Sequence, residues 1–259
     1  MTTPRAFIIR HGETEWSLNG RHTGTTDIPL TANGEKRIRA TGKALVGDDR
    51  LIVPSKLAHI YVSPRHRARR TLELLDLGCK DKFLWQEKHQ NPLDIRTNAS
   101  VQITPDIREW DYGDYEGITS SEIAARRKEN GVEGKWDIWR DGCPGGESPQ
   151  QVTERVDRVI RDIRSRFHEG CLGKNDKGKG GCGDVLLVAH GHILRAFAMR
   201  WIGRELTEGV GLILEAGGVG TLSYEHHSVN EPAILLGGAF MVDLVENAEE
   251  KEKGKVKET

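Results

Sequence analysis

The sequence predicts an α/β domain in three αβα layers, a mostly parallel central sheet with helices on both faces. Three observations predict it. Ala6-Phe7-Ile8-Ile9, His59-Ile60-Tyr61-Val62 and Asp184–Ala189 are short apolar runs of the kind that form strands buried on both faces. Segments with helix-start signals and helical spacing separate these runs, the alternation expected of parallel pairing through helical crossovers. The 259 residues suit one domain, and counting glycine in place of tyrosine lifts the apolar share from 36% to about 46%, an ordinary globular value.

Each element has a local reason. Thr31 is an N-cap for a helix from about Ala32 to Val46, with Glu35, Lys36 and Arg39 facing water. Pro64 suits the first turn of a helix continuing through Leu75. Residues Leu77 to Asn98 show no clear period and read as a surface excursion, followed by a strand near Val101-Gln102-Ile103. A helix is expected from about Ser120 to Glu129. Ser148-Pro149-Gln150-Gln151 combines a Ser cap, Pro at the first position and Gln three residues after the cap. Val152, Val156, Val159, Ile160 and Ile163 then give that helix one apolar face. Gly170 to Gly183, with six glycines and three lysines, reads as a surface loop. The last elements are a helix from Ile193 to Ile202 and strands at Val219–Tyr224 and Ala233–Leu236. Residues 1–245 are thus expected to form a single domain and 246–259 a charged tail.

Composition narrows the function classes. With 38 Lys+Arg against 39 Asp+Glu, the chain lacks the basic excess of a dedicated nucleic-acid binder, although a neutral total can hide a local arginine cluster. No run approaches the length of a membrane span, and Met1–Arg10 lacks the apolar core of a secretory signal, so a cytoplasmic protein is expected, with the nucleus as the alternative. Cys79, Cys143, Cys171 and Cys182 are widely spaced, which points to reduced thiols and to neither a zinc site nor a disulfide framework. His226-His227 and His190/His192 offer no metal-ligand spacing with carboxylates, so no metal and no cofactor are expected. Oligomeric state stays open between a monomer and a homo-oligomer.

In open α/β sheets ligands bind beyond the carboxyl ends of the strands. Two strand ends here deliver His then Gly: Arg10-His11-Gly12 and Ala189-His190-Gly191. A neutral imidazole can attack phosphorus and hold it covalently, and guanidinium forks suit phosphoryl oxygens. His11 is the candidate nucleophile, Arg10 and Arg67 the candidate forks. His190 would be cationic, or donate a hydrogen bond, toward the same oxygens. A leaving alcohol needs a proton and an incoming water must lose one, and one carboxyl can serve both steps in turn. Sequence alone does not choose among Glu109, Asp111, Asp114 and Glu116 for that task. Glu13 either orients the histidine or pairs with an arginine, and Gly24 either admits an anion to the backbone or forms a turn.

Arg10-His11-Gly12-Glu13-Thr14 resembles the signature of the histidine phosphatase superfamily, the phosphoglycerate mutase-like enzymes. Four further segments follow in that family's order: Thr23-Gly24 with Asp27 and Leu30, Ser63–Thr71 with Arg67-Ala68 in the matching place, Arg108–Gly117, and Val188–Gly191. The resemblance spans about Ala6 to Ala239. It implies a phosphoglycerate mutase-like fold and a metal-independent mechanism through a phosphohistidine. It assigns His11, Arg10, Arg67, Glu109 as the acid and His190 to catalysis. For substrate it implies a set comprising Thr14, Ser17, Thr23, Gly24, Arg65, Tyr112, Gly191 and His192.

Three readings follow: a phosphatase, a mutase, or a non-catalytic member. The last is disfavoured because the whole catalytic set is present. Mutases of the family typically carry Arg-His after the acid, where this chain has Trp110-Asp111; Arg126-Arg127 lies within a predicted helix and would be a false echo of the mutase pair. Hydrolysis of a small phosphorylated metabolite is therefore expected. Arg108–Gly117, Trp136–Ser148 and Ala216–His227 are similar to the fungal sedoheptulose-1,7-bisphosphatases of the superfamily, which implies a ketose bisphosphate losing its C1 phosphate. Arg65 or Arg140 would then meet the distal phosphate. The stretch from Trp201 to Glu215 is shorter than the insertion associated with those enzymes, so broader phosphomonoesterase activity is the alternative.

Overall fold

The computed structural model describes residues 3–86, 94–172 and 183–236. The expected tail at 246–259, the end of the domain beyond Leu236, Cys182 and most of the 170–183 loop lie outside these residues. Among the described residues, Cys79, Cys143 and Cys171 are free thiols.

Among the described residues, six strands form one sheet: β1 (Ala6–Arg10), β2 (Leu57–Val62), β3 (Ser100–Ile103), β4 (Asp184–Ala189), β5 (Val219–Tyr224) and β6 (Pro232–Leu235). Their order is β3-β2-β4-β1-β5-β6, with β1–β4 mutually parallel and β5 antiparallel to both its neighbours. The described residues also form seven α-helices: α1 (Glu15–Asn19), α2 (Ala32–Leu45), α3 (His66–Leu74), α4 (Ser120–Glu129), α5 (Ile138–Asp141), α6 (Pro149–Ile163) and α7 (Gly191–Trp201).

Period-two alternation divides the strands between two cores. Ala6, Ile8, Tyr61, Val185, Leu187 and Ala189 face a cluster with Val152, Val156, Val159 and Ile163 of α6 and Ile193 and Phe197 of α7. Phe7, Ile9, Ile60, Val62, Leu186 and Val188 face the other side, against Ile38 of α2 and Ala68 and Leu72 of α3. The continuous apolar runs seen in the sequence are the consequence.

The expected caps of α2 and α6 are in place, and α4 has one that the sequence analysis did not name. Thr31 accepts from the Gly34 amide, and Ser148 and Gln151 form a reciprocal capping box, as Thr119 and Glu122 do on α4. Two helix starts differ from expectation. The helix after β2 begins at His66, because the Asp27 carboxylate accepts from the His66 amide (2.9 Å to each oxygen) and supplies the cap from another segment. The helix after β4 begins at Gly191, so His190 is its N-cap rather than part of a free corner.

The antiparallel β5 also has a physical origin. α7 returns the chain to the lower edge of the sheet, where Trp201 donates to the Ser223 carbonyl (3.0 Å). Residues 202–218 then climb to the upper edge, where the Gly217 amide meets the Arg10 and His11 carbonyls, so β5 starts opposite Ile9 and runs down.

Gly34 is where α2 crosses the segment after β1. A Cβ there would lie 2.4 Å from the Glu13 carbonyl oxygen, a backbone atom that cannot rotate away. Gly34→Ala is therefore expected to destabilise the fold by about 1–3 kcal/mol through overpacking, seen as a lower urea midpoint. An unchanged midpoint would show that α2 can slide away from Glu13.

Candidate active site

The parallel register pairs Arg10 of β1 with Ala189 of β4, and the His11 amide continues the ladder by donating to the Ala189 carbonyl (2.9 Å). The residues that follow, His11 and His190, are thereby placed side by side, with ring centroids 5.0 Å apart. His11 Nδ1 lies 2.7 Å from the Gly12 carbonyl. A carbonyl only accepts, so Nδ1 carries the proton and Nε2 is the basic nitrogen. Burial, reinforced by the Arg67 and Arg10 cations, pushes the His11 pKa well below the usual imidazole value; the Gly12 bond opposes them only in part. Glu13 does not orient His11. It accepts from Thr31 Oγ1 (2.6 Å) and Asn33 and so braces the start of α2.

Arg67 is fully buried and spends its donors on the protein. It bonds His190 Nδ1 through Nε (3.2 Å), the Thr26 carbonyl through Nη1 (2.8 Å), and the Thr23 and Gly24 carbonyls through Nη2. A guanidinium donating into Nδ1 leaves that nitrogen unprotonated, so the His190 proton sits on Nε2 and points to Ser63 Oγ (2.7 Å). Of the two states expected of His190, cation or hydrogen donor, this geometry fits the donor. Burial and the charges of Arg67, His11, Arg65 and Arg10 push its pKa well down, and it is a neutral donor.

Glu109 is buried, 5% exposed, on the segment after β3. Its Oε1 accepts from the Trp110 and Ile193 amides (both 2.9 Å) and its Oε2 from the His192 amide (3.0 Å). Two of these donors belong to the first turn of α7, so the N-terminus that follows His190 also fixes Glu109.

A cavity of about 190 Å³ opens over these groups, lined among others by Arg10, His11, Thr14, Ser17, Thr23, Glu109, Tyr112, Gly191 and His192. Thr14 and Ser17 cap α1 reciprocally, and Tyr112 Oη lies 2.7 Å from His192 Nδ1. Burial raises the Tyr112 pKa, which keeps it a phenol, and lowers that of His192, which keeps it neutral. Arg10 bonds the Leu214 carbonyl through Nη1 (2.8 Å) and packs where a Gly191 side chain would stand, 3.2 Å from a Cβ there.

His190, Arg67, Gly24 and Arg65 are not in this lining. His190 and Arg67 are fully buried, with the His190 ring 5.0 Å from that of His11. The Gly24 amide is taken by the Glu116 carboxylate (2.9 and 3.0 Å), and a Cβ there would lie 2.2 Å from the Trp110 carbonyl oxygen; Gly24 serves close backbone packing, not an anion. Arg65 is the N-cap of α3 and lines neither this cavity nor its neighbour.

The cavity also contains residues the sequence did not single out: Trp16, Arg21, His22 and Arg195. Arg195 stands one turn after Gly191 on α7. It donates through Nε to the Gly191 carbonyl (3.1 Å) and lies over the Trp139 ring, which leaves Nη1 and Nη2 for the cavity. Its i+4 spacing from Gly191 was the available signal, hidden by a helix start placed two residues late. A second cavity of about 560 Å³ adjoins through His22 and His192 and includes Lys135, Trp136 and Arg140. Arg140 pairs there with Asp137 (3.1 Å).

A buried imidazole with a free basic nitrogen, several guanidinium groups and a braced carboxylate suit attack on a phosphoryl group. Residues 6–231 match the model of the histidine phosphatase superfamily, branch 1. The chain belongs to that superfamily. It is 36% identical to sedoheptulose 1,7-bisphosphatase of Saccharomyces cerevisiae, over 92% of this chain and 94% of the relative. Identity is 32% to an acid phosphatase of Mycobacterium tuberculosis (89% and 91% covered) and 31% to a 2,3-bisphosphoglycerate-dependent phosphoglycerate mutase of Gloeobacter violaceus (74% and 73%). Among solved structures, the product of a Mycobacterium tuberculosis open reading frame superposes with TM-score 0.64 at 28% identity, covering 92% of this chain and 98% of that one. Bacillus anthracis phosphoglycerate mutase, at TM-score 0.64 and 19% identity, shares the fold (93% and 95% covered). This histidine phosphatase is a phosphoric monoester hydrolase. No helix among its described residues is long and apolar enough to cross a membrane.

The electrostatics make a direct prediction. Because the His11 and His190 pKa values are lowered, both rings stay neutral as pH falls through 6.5, where an ordinary histidine gains its proton. Ring nitrogen-15 NMR of the free enzyme is expected to show both neutral at pH 6, with His11 protonated on Nδ1. A His11 midpoint at or above 6.5 would contradict the reading.

Proposed function

We propose that the chain hydrolyses a small phosphorylated sugar through a phosphohistidine on His11, with a ketose bisphosphate such as sedoheptulose-1,7-bisphosphate losing its C1 phosphate as the favoured substrate. The observation that carries the reading is His11 itself, held in the Nδ1–H tautomer by Gly12 and kept neutral by burial and two arginines. Nε2 attacks phosphorus while the bond to the sugar oxygen breaks, and Glu109 gives its proton to the leaving alkoxide. Water then attacks the phosphohistidine, Glu109 takes back a proton, and the phosphorus–nitrogen bond breaks to release inorganic phosphate. Glu109 Oε2 bears a single hydrogen bond, against two on Oε1, and is the oxygen free to carry the proton. Arg10 holds the phosphoryl oxygens from the cavity wall; Arg67 and His190, buried and bonded to each other, set the field around His11.

Hydrolysis is favoured over transfer because the arginines that echo a mutase pair are engaged elsewhere. Arg126 bonds the Asp114 carbonyl (2.7 Å) and Arg127 pairs with Asp141 (3.3 Å). A second phosphate on the substrate is supported by the adjoining larger cavity, with Lys135 and Arg140, and by the unspent nitrogens of Arg195 between the two. The yeast relative acts, by its name, on such a bisphosphate.

The test is phosphate release, without added metal, from sedoheptulose-1,7-bisphosphate, fructose-1,6-bisphosphate and 3-phosphoglycerate in parallel. Rapid release from the ketose bisphosphates is expected. Release from none, with 3-phosphoglycerate isomerised, would make the enzyme a mutase; equal release from unrelated monoesters would make it a broad phosphomonoesterase. His11→Ala is expected to abolish release. Glu109→Gln is expected to slow it roughly 10²–10⁴-fold for sugar esters, whose leaving group needs the proton. Wild-type rates in His11→Ala would overturn the phosphohistidine.

A further inference from the structure

We propose that the buried pair Arg155–Glu147 is a positioning device for the catalytic acid, an inference that rests on the acid role given to Glu109. Arg155 is 2% exposed and Glu147 6%. They meet as a two-pronged ion pair, Nε to Oε1 and Nη2 to Oε2, both 2.9 Å. A buried ion pair is a poor source of stability, since an apolar pair of the same volume often serves as well. Its use lies in where the remaining donors and acceptors go.

They go to one short segment. Arg155 Nη1 donates to the carbonyls of Asp106 (2.9 Å) and Arg108 (2.8 Å), and Nη2 reaches that of Glu109 (3.4 Å). Glu147 accepts from the Asp111 amide through Oε2 (3.0 Å) and from Arg108 Nη2 through Oε1 (2.6 Å). Its own amide donates to the Asp111 carbonyl (2.9 Å), and its carbonyl accepts from the Trp110 indole (2.8 Å). Residues 108–111 belong to no helix or strand, so nothing regular holds them. Arg155 rides on α6, which packs against α7 in one core cluster. Glu109 is therefore gripped from two sides: its carbonyl by α6 through Arg155, its carboxylate by the first turn of α7. Displacing a reacting group by about 1 Å can cost roughly 100-fold in rate, which is the scale on which such a splint matters.

The experiment compares p-nitrophenyl phosphate, whose leaving group departs without a proton, with glycerol 2-phosphate, whose alkoxide needs one. Arg155→Lys keeps a cation beside Glu147, but a lysine cannot span three carbonyls. Turnover of glycerol 2-phosphate should fall roughly 10- to 100-fold and that of p-nitrophenyl phosphate less than about threefold. In a Glu109→Gln background the same substitution should add nothing to the loss on glycerol 2-phosphate. Equal losses on both esters, or losses that multiply in the double variant, would reduce the pair to a structural role. Glu109→Gln alone separates the two ideas. If it spares glycerol 2-phosphate, the acid role falls; if it is selective while Arg155→Lys is not, the positioning role falls alone. Arg108 is one-third exposed, so Arg108→Met removes one Glu147 contact without touching the core. A weaker loss with the same selectivity is expected there, and that variant decides the question if Arg155→Lys does not fold.

Discussion

The site depends on the parallel pairing of β1 with β4. That ladder runs from Ala6–Val185 to Arg10–Ala189 and ends with the His11 amide on the Ala189 carbonyl. Slipping it by one residue would move the slipped strand's side chains into the wrong core, so two separately packed cores hold the register that sets the histidines 5.0 Å apart. The same pairing fixes where α7 begins. Its first turn has amides without helical partners, and these are the groups that hold the Glu109 carboxylate. One backbone constraint thus places both histidines and the carboxylate.

Charge follows from that arrangement. Arg67 is more organiser than clamp: it ties the Thr23–Thr26 backbone to His190 with four of its five donors. Its positive charge, buried beside two imidazoles, makes protonating either one unfavourable. A nucleophile kept neutral by arginines is also one placed where a phosphoryl group is attracted, so the cations that depress the His11 pKa are those that favour the substrate. No conflict arises between activating the base and binding the anion.

Much of this was legible in the sequence, for identifiable reasons. Strands buried on both faces leave unbroken apolar runs, and β4 was bounded correctly from its six residues alone. Side-chain caps leave a spacing, and Thr31 and Ser148 gave their helices away. The failures come from information that is not local. α3 starts two residues late because its cap is Asp27, 39 residues upstream. α7 starts early because His190-Gly191 carries none of the usual start residues, which concealed Arg195 one turn on. Gly24 and Arg65 were placed with substrate on the strength of position in a motif. In the fold, Gly24 gives way to a carbonyl and a carboxylate of its own chain, and Arg65 stands at the N-cap position of α3 without lining the cavity.

The contrast between His11 and Glu109 shows how differently two groups of one site can be built. His11 sits at the end of a central strand, where the ladder and two cores fix it, and its tautomer needs a single carbonyl. Glu109 sits on an irregular segment with no ladder to hold it. Its backbone groups needed partners from elsewhere, and in the interior those partners must be side chains or ordered water. A guanidinium is the side chain that can serve several carbonyls at once, and once buried it requires a carboxylate beside it. The Arg155–Glu147 pair is thus the consequence of carrying an acid on a loop: a buried ion pair outside the cavity lining, whose geometry is legible only from the backbone it serves.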